Sequence, residues 1–446
     1  MRMRHALCLL VLGTLTAITS AAPLPDADPH RSLGVVNCAS SMCHGAVTAW
    51  KDSHIAHDEY TIWARLDRHA NAYNVLRSAD SQRIARKLGL KKPPEQEAVC
   101  LDCHAHNPAP AERGSRFTVS DGVSCEACHG PSNGWIQSHT LPEATHAANV
   151  ANGLYPTNEP EPLARLCLSC HYGNEKKLVT HRIMGAGHPR LSFDLDTFAN
   201  FLPPHWQIDA DWTARKGHFD GVQLWAIGQG VAVESLLDTF TDPVRGRDGL
   251  FPELVVFDCH ACHHPMSDKR WQPRQGLATG PGRIRLNDAN LLMLRNIVKV
   301  VNPAYAPGFT AQIQRLHRTI TGDADWAAAD PIAEAHKLRE MVAQQVRLFG
   351  KHAFTTNDLK DILRELVTEG TADSYTDYAG AEQAYMAISG VASHLQTTGG
   401  WTPEAVRPIN VRLHHLRELL RNDEAYSPAA FKSELLALRQ LLGPTR

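Results

Sequence analysis

Hydrophobic residues recur with helical spacing in the last third of the chain. Three such segments span residues 331–350, 356–370 and 428–443, and Pro331 and Pro428 stand at first helical positions, where a missing N–H costs nothing. Their apolar positions are Ile332, Leu338, Val342, Val346, Leu359, Ile362, Leu363, Leu366, Val367, Phe431, Leu435, Leu438 and Leu442. The pattern predicts a helical bundle over residues 286–446.

The N-terminus has a different pattern. Arg2 and Arg4 precede an apolar run over residues 6–18, and small residues follow it up to Ala22. This order is typical of a secretory signal peptide, here residues 1–22. The alternative, a permanent membrane anchor, is weaker because the run is shorter than the roughly 20 residues that span a bilayer. No other stretch is apolar enough, so we expect an exported, periplasmic-type protein without a transmembrane span after cleavage.

Composition narrows the class of protein. A chain of 446 residues favours at least two domains. The net charge of −2 lacks the basic excess of a nucleic-acid binder. Of the 11 cysteines, ten lie after the predicted signal peptide, a number that five disulfides would also explain.

The spacing of these ten cysteines indicates another chemistry. Four pairs occur as C-x-x-C-H, and a fifth has four residues between its cysteines and again a histidine directly after the second. In chain order the pairs are Cys38 and Cys43, Cys100 and Cys103, Cys125 and Cys128, Cys167 and Cys170, and Cys259 and Cys262, followed by His44, His104, His129, His171 and His263. Every cysteine after the signal peptide is used.

C-x-x-C-H is the attachment pattern of haem c. Two thiols one turn apart reach the two vinyl groups on one porphyrin edge, and the next residue, histidine, binds the iron. In the first motif the two extra residues can bulge out, because His44 still follows Cys43. A zinc site is the alternative, but zinc sites seldom place a histidine after every C-x-x-C pair. The motifs therefore predict five covalently bound haem c groups.

Histidines are concentrated where the motifs lie. Between His30 and His264 there are 18 histidines, of which 13 remain once the five motif histidines are removed. Bis-histidine ligation of five irons is possible in number and would leave no open axial position.

The region from Cys38 to His263 is too short to give each of five haems an apolar core of its own. We therefore predict a mainly α protein with a haem-cored pentahaem domain over residues 30–285 and few strands. The helical bundle, residues 286–446, follows it, and its histidines are expected to be polar-face residues.

The residues around the motifs resemble the cytochrome c-554 family of multihaem cytochromes. The resemblance rests on segments 60–73, 122–131, 187–193 and 257–264, and it covers roughly residues 35–285. It implies haems stacked in parallel and perpendicular pairs and an electron-shuttling role like that of the tetrahaem members in nitrogen-oxidising bacteria. The chain departs from those members in its fifth motif and its longer first motif.

The resemblance also ranks the candidate distal ligands. His69 matches a family position that binds a haem across the stack, His139 follows the third motif, and His188 lies in the Gly-His-Pro-Arg-Leu block. His181 and His54 follow, together with His57, and His205 and His218 rank behind them.

Three functions remain open. Electron transfer between redox proteins, or with a membrane electron-transfer complex, needs only close haems with filled axial positions. A reductase or oxidase of a small nitrogen or sulfur compound needs one five-coordinate iron with acid and base groups nearby. A third class is an interaction or filament subunit. The sequence favours the electron carrier, names no catalytic residue and leaves the oligomeric state open.

Overall fold

A computed structural model describes residues 23–53, 55–249, 251–263, 274, 284–321 and 330–443. The predicted signal peptide and the candidate ligand His54 lie outside these residues. The described chain is mainly α, as predicted, and its two strands are two residues long each.

The N-terminal half consists of short helices joined by turns and irregular segments. They are α1 (Glu59–Leu66), α2 (Ala72–Val75), α3 (Ala79–Leu88), α4 (Ala98–His104), α5 (Cys125–His129), α6 (His146–Ala151), α7 (Pro160–His171), α8 (His181–Ala186), α9 (Leu195–Ala199) and α10 (Ala210–Lys216).

Longer helices make up the rest of the chain. They are α11 (Gly221–Thr241), α12 (Ala289–Val301), α13 (Ala306–Thr321), α14 (Pro331–Phe349), α15 (Thr356–Thr371), α16 (Tyr378–Thr397), α17 (Pro403–Glu418) and α18 (Pro428–Leu442). Between α11 and α12, β1 (Arg247–Asp248) pairs antiparallel with β2 (Phe251–Pro252), with Arg247 opposite Pro252.

Capping residues explain where the predicted C-terminal helices begin. Thr355 and Asp358 form a reciprocal capping box at α15: the Thr355 hydroxyl accepts from the Asp358 N–H at 3.2 Å, and the Asp358 carboxylate accepts from the Thr355 N–H at 2.8 Å. Asp330 caps α14 and Ser427 caps α18, each before a proline at the first helical position. These three predicted helices are confirmed.

One apolar core runs through α7, α9 and α11–α18, from Ala164 to Leu438. Its centre is α11, which is buried on nearly all sides along residues 222–237 and packs against α7, α12 and α14. The core therefore includes helices that precede residue 286, and the division of the chain at residues 285 and 286 stays a prediction.

None of the helices in the described ranges is long and apolar enough to cross a membrane.

Candidate haem-binding sites

Helix ends position three of the five motifs. Cys100, Cys125 and Cys167 each lie within the last turns of α4, α5 and α7, and the motif histidine is the last residue of each helix. One helical turn between two cysteines places both thiols on the same side of the helix. The three motifs thus have the arrangement that attachment to one porphyrin edge requires.

In the first and fifth motifs, which are not α-helical, a backbone hydrogen bond joins the motif histidine to the first cysteine. In the fifth, the His263 N–H donates to the Cys259 carbonyl at 2.8 Å, across a 3₁₀ turn. In the first, the His44 N–H donates to the Cys38 carbonyl at 3.2 Å, although two more residues separate them. The extra residues are taken up inside the turn, so the histidine keeps its place beside the first cysteine.

All ten motif cysteines are free thiols in the described chain, so no disulfide joins them. Over the same residues, no group of three or more His, Cys, Asp or Glu side chains converges on a point that could hold a metal ion.

Each motif histidine faces a second histidine from a distant part of the chain. The ring centres of the five pairs lie 6.0 to 6.4 Å apart. The pairs are His44 with His139, His104 with His188, His129 with His205, His171 with His69, and His263 with His181.

This spacing fits two imidazoles on opposite sides of one metal ion. A metal–nitrogen bond of about 2 Å, with about 1.1 Å more from the nitrogen to the ring centre, gives about 6.2 Å between the two ring centres. Direct ring stacking would bring the centres closer, as for His171 on Phe193 at 4.3 Å. The five gaps therefore fit haem iron between axial histidines.

Hydrogen bonds at Nδ1 hold five of these rings and leave Nε2 available. His44 and His69 donate to the carboxylates of Glu59 at 3.0 Å and Asp67 at 2.9 Å. The others donate to backbone carbonyls: His104 to Ala72 at 3.1 Å, His139 to Ile136 at 2.6 Å and His188 to Pro189 at 2.8 Å. An acceptor at Nδ1 fixes the tautomer whose Nε2 lone pair can bind iron.

Electrostatics differ among the paired histidines. The hydrogen bond that His44 donates to Glu59 raises the pKa of His44, and the one that His69 donates to Asp67 raises the pKa of His69. Burial lowers the pKa of His129 to about 3 and that of His171 to about 4. A neutral imidazole is the form that binds a metal, and burial favours this neutral form in His129 and His171.

Sequence reasoning ranked one paired histidine too low. His205 faces His129, whereas His57, ranked above it, has both ring nitrogens occupied, Nδ1 by the Cys43 carbonyl and Nε2 by Ser53 at 3.2 Å. The Pro-Pro-His-Trp context of His205 was the available signal, since two prolines stiffen the chain before the ring.

Two other histidines use Nε2 in hydrogen bonds. That of His106 contacts the Ser32 hydroxyl at 2.7 Å, and that of His146 contacts the Asn158 side chain at 2.7 Å. The nitrogen that five of the paired rings leave available is engaged here, so both are structural residues.

The motifs contact one another in an order that differs from their order in the chain. The thiols of Cys38 and Cys125 interact, which joins the first motif to the third. Cys128 lies within electrostatic range of Cys170, which joins the third to the fourth, and Cys170 contacts Cys103 of the second.

The second and fifth motifs meet through α8. This short helix begins at His181, which faces His263, and is followed at once by His188, which faces His104. In addition, Arg190 lies within electrostatic range of Cys259. The spatial order of the motifs is therefore first, third, fourth, second and fifth.

The residues before the third motif also hold His69, which faces His171. The His69 carbonyl accepts from the Val123 N–H at 3.1 Å, and the Val123 carbonyl accepts from the Trp63 indole at 3.1 Å. Gly122 has φ +74°, and a Cβ there would lie 2.7 Å from the His69 carbonyl oxygen. Only glycine fits this close approach.

Buried charges tie the fifth motif to the helical core. Asp258, directly before Cys259, pairs with Arg285, which lies 3.0 Å from Asp377 at the start of α16. Arg274 joins Asp377 to Asp288. The fifth site is therefore fixed to the C-terminal helices.

Attachment motifs of this spacing with opposed histidines are typical of c-type cytochromes, proteins that carry electrons on covalently bound haem. Residues 37–130 match the family model described as cytochrome c554 and c-prime, which confirms the resemblance to the cytochrome c-554 family. No curated protein and no solved structure matches the chain. The family implies covalently bound haem c.

Proposed function

We propose that this protein is an exported, periplasmic multihaem cytochrome c that carries five haems and transfers electrons between redox partners. The observation that supports this most is the set of five opposed histidine pairs, all with the same separation of 6.0 to 6.4 Å. One such distance could arise by chance, but five, each with one member from a separate attachment motif, are hard to explain otherwise.

The ligand sets follow from the pairs. In chain order of the motifs, the thiols and axial histidines are Cys38, Cys43, His44 and His139; Cys100, Cys103, His104 and His188; Cys125, Cys128, His129 and His205; Cys167, Cys170, His171 and His69; and Cys259, Cys262, His263 and His181. Haem c bound there supplies one-electron redox chemistry.

Paired axial histidines favour a carrier over an enzyme. A reductase or oxidase of a small nitrogen or sulfur compound needs an iron with an open axial position, and in this arrangement each motif histidine has an opposing ring. We therefore assign no catalytic residue. The spatial order of the motifs places the first and fifth sites at the two ends of the path along which electrons would move.

Haem content and spin state test the proposal together. Protein matured with a cytochrome c assembly system should exceed the mass of the processed polypeptide by about 3 kDa, since five haems add about 0.6 kDa each. Electron paramagnetic resonance of the oxidised protein should find five low-spin irons. A high-spin iron that binds carbon monoxide in the unaltered protein would support the reductase instead.

The choice between His205 and His57 sharpens this test. His205→Ala should open one axial position and convert one haem to a high-spin form while covalent attachment persists. His57→Ala is the matched control, because the two histidines lie in irregular segments but only His205 faces a motif histidine. A high-spin iron in His57→Ala, with none in His205→Ala, would overturn the assignment at the third site.

A further inference from the structure

Helix α3 and the segments that flank it form a basic surface. Between residues 77 and 92 there are six cations and one carboxylate, and all six cations are exposed. They are Arg77, Arg83, Arg86, Lys87, Lys91 and Lys92, and the exposed Arg182 on α8 adds a seventh. We call these seven residues the α3 basic surface.

Most of this positive charge is not neutralised locally. Arg83 pairs with Asp80 at 2.5 Å, but Arg86, Lys87, Lys91 and Lys92 have no carboxylate within 4.0 Å in the part of the chain that the structure describes. The nearby Glu95 and Glu97 are half-buried and accept hydrogen bonds from the Gln82 side chain and the Lys92 N–H. Since the whole chain has a net charge of −2, the surface is a local feature.

The α3 basic surface lies close to the second and fifth sites, at one end of the spatial series of motifs. Helix α3 packs on α8, where the Arg182 side chain donates to the Leu88 carbonyl at 3.1 Å. A Cβ at Gly187, next to His188, would lie 3.6 Å from Ile84 of α3. One layer of helix thus separates the cations from His181 and His188, which belong to the fifth and second sites.

From this placement we infer that the α3 basic surface docks an acidic redox protein and is where electrons enter or leave at the second and fifth sites, an inference that rests on the proposed electron-transfer function. Complementary charge raises association rates by steering the encounter, and it places the partner where transfer is possible. An anionic membrane fits less well, because Ala85 is buried, Ile84 and Leu88 are half-buried against the protein, and no apolar face of α3 is left to insert.

Charge reversal on the full-length protein with its haems tests the docking surface. The variant is Arg86→Glu, Lys87→Glu and Lys91→Glu. The control is Arg347→Glu, Arg407→Glu and Arg417→Glu, three exposed cations on the C-terminal helices, which change the net charge equally. The probe is reduced flavodoxin, a small acidic electron donor, mixed at low ionic strength.

The variant should be reduced by flavodoxin about tenfold more slowly than the unaltered protein, and the control within about twofold of it. Calorimetric binding of oxidised flavodoxin should weaken in the variant alone, while haem content and midpoint potentials stay unchanged in both. Equal rates and equal binding in variant and control would overturn the docking surface.

An uncharged donor separates this inference from the proposed function. Photoreduced lumiflavin should reduce all three proteins at the same rate, because no charge steers it. If it reduces no haem in the unaltered protein, electron transfer itself fails. If the variant loses binding to phosphatidylglycerol vesicles but keeps its rate with flavodoxin, the surface binds membranes and the inference is wrong.

Discussion

Residues 23–160 and residues 164–438 achieve stability by different means. The second region has one continuous apolar core, in which side chains such as Phe309, Phe349 and Leu366 are fully buried. In the first, the described residues form a small apolar cluster of Tyr73, Leu76, Leu101 and Ala105. A region of this length with so little apolar packing needs another source of stability.

Polar contacts supply part of what the first region lacks. Glu126, between the two cysteines of the third motif, is buried, and its carboxylate accepts from the N–H groups of Leu33, Gly34 and Ser132 at 2.7 to 2.8 Å and from the Ser132 hydroxyl. These bonds join the N-terminal segment to the third motif. A hydrogen bond adds only about 1 kcal/mol of net stability, so in the proposed function the haems would fill the remaining space.

The largest difference between the two regions is expected when the full chain is produced without haem. Residues 23–160 should lose protection from hydrogen exchange, because their core is absent, while residues 286–321 and 330–443 keep theirs. Hydrogen–deuterium exchange measured by mass spectrometry, with the haem-loaded protein as control, provides the readout. Equal protection of both regions without haem would contradict a haem-cored N-terminal region.

The sequence predicted the two regions unequally. Helices α14, α15 and α18 can be predicted from the spacing of their apolar residues and from the residues at their starts. Pro331, Thr355 and Ser427 determine where these helices begin through effects within the first turn. Helix α11 is buried on nearly all sides and therefore has no polar face to set a helical period, so its place in the core was not predicted.

The sequence predicts the attachment motifs of the candidate sites, but it does not predict which histidine faces each motif histidine. Cysteine spacing identifies each motif because attachment chemistry is local. The opposing rings come from positions 76 to 102 residues away along the chain, as with His129 and His205 or His69 and His171. Irregular segments bring them together, and no periodic pattern encodes that distance.

The buried charges that tie the fifth motif to the C-terminal helices allow a second test. In Asp288→Ala, Arg274 and His317 lose their shared carboxylate, and removal of one partner from a buried ion network costs about 3–5 kcal/mol. Urea unfolding followed by circular dichroism would measure the loss. Asp361→Ala, which breaks the exposed pair with Arg364, is the control and should cost at most about 1 kcal/mol. If the two variants lost the same free energy of unfolding, the buried network would contribute no more to stability than an exposed ion pair.

The same network predicts a pH dependence. Burial opposes ionisation of Asp288, but the charge of Arg274 and the contact with the His317 ring at 3.2 Å outweigh it and hold the pKa of Asp288 below its ordinary value. A lowered pKa in the folded state means that the unfolded chain takes up the proton first as pH falls. Stability from this group should be complete at neutral pH and decline below about pH 4, and Asp288→Ala should lose that decline.

A smaller effect is expected from a single cavity in the apolar core. Leu366→Ala, at a fully buried position of α15, should lower the free energy of unfolding of the helices by about 2–5 kcal/mol. Leu441→Ala, at a position 46% exposed on α18, should change it by at most about 0.5 kcal/mol. The haem absorption spectrum should stay constant in both. A spectral change in Leu366→Ala would mean that the two regions are more strongly coupled than their packing indicates.

The smallest effect concerns differences among the haem sites themselves. The rings of His44 and His139 are nearly parallel, at 14°, whereas the pairs of the second, third and fourth sites are crossed at 79° to 82°. The fifth pair, fixed to the helical core, is intermediate at 37°. The angle matters because each imidazole plane raises the energy of one of two iron orbitals. Parallel planes separate the two orbitals, and crossed planes leave them nearly equal.

We therefore expect an ordinary rhombic low-spin signal from the first site and strongly anisotropic low-spin signals from the three crossed sites in the electron paramagnetic resonance spectrum. His139→Ala should remove the rhombic signal of the first site, because it removes one of the two parallel rings. His188→Ala, the matched control at a crossed site, should remove one anisotropic signal and leave the rhombic one, since its partner His104 is perpendicular to it. If His139→Ala instead removed an anisotropic signal, the ring planes at the first site would not be parallel in the haem-loaded protein. The hydrogen bonds of His44 to Glu59 and of His139 to Ile136 would then not be what orients them.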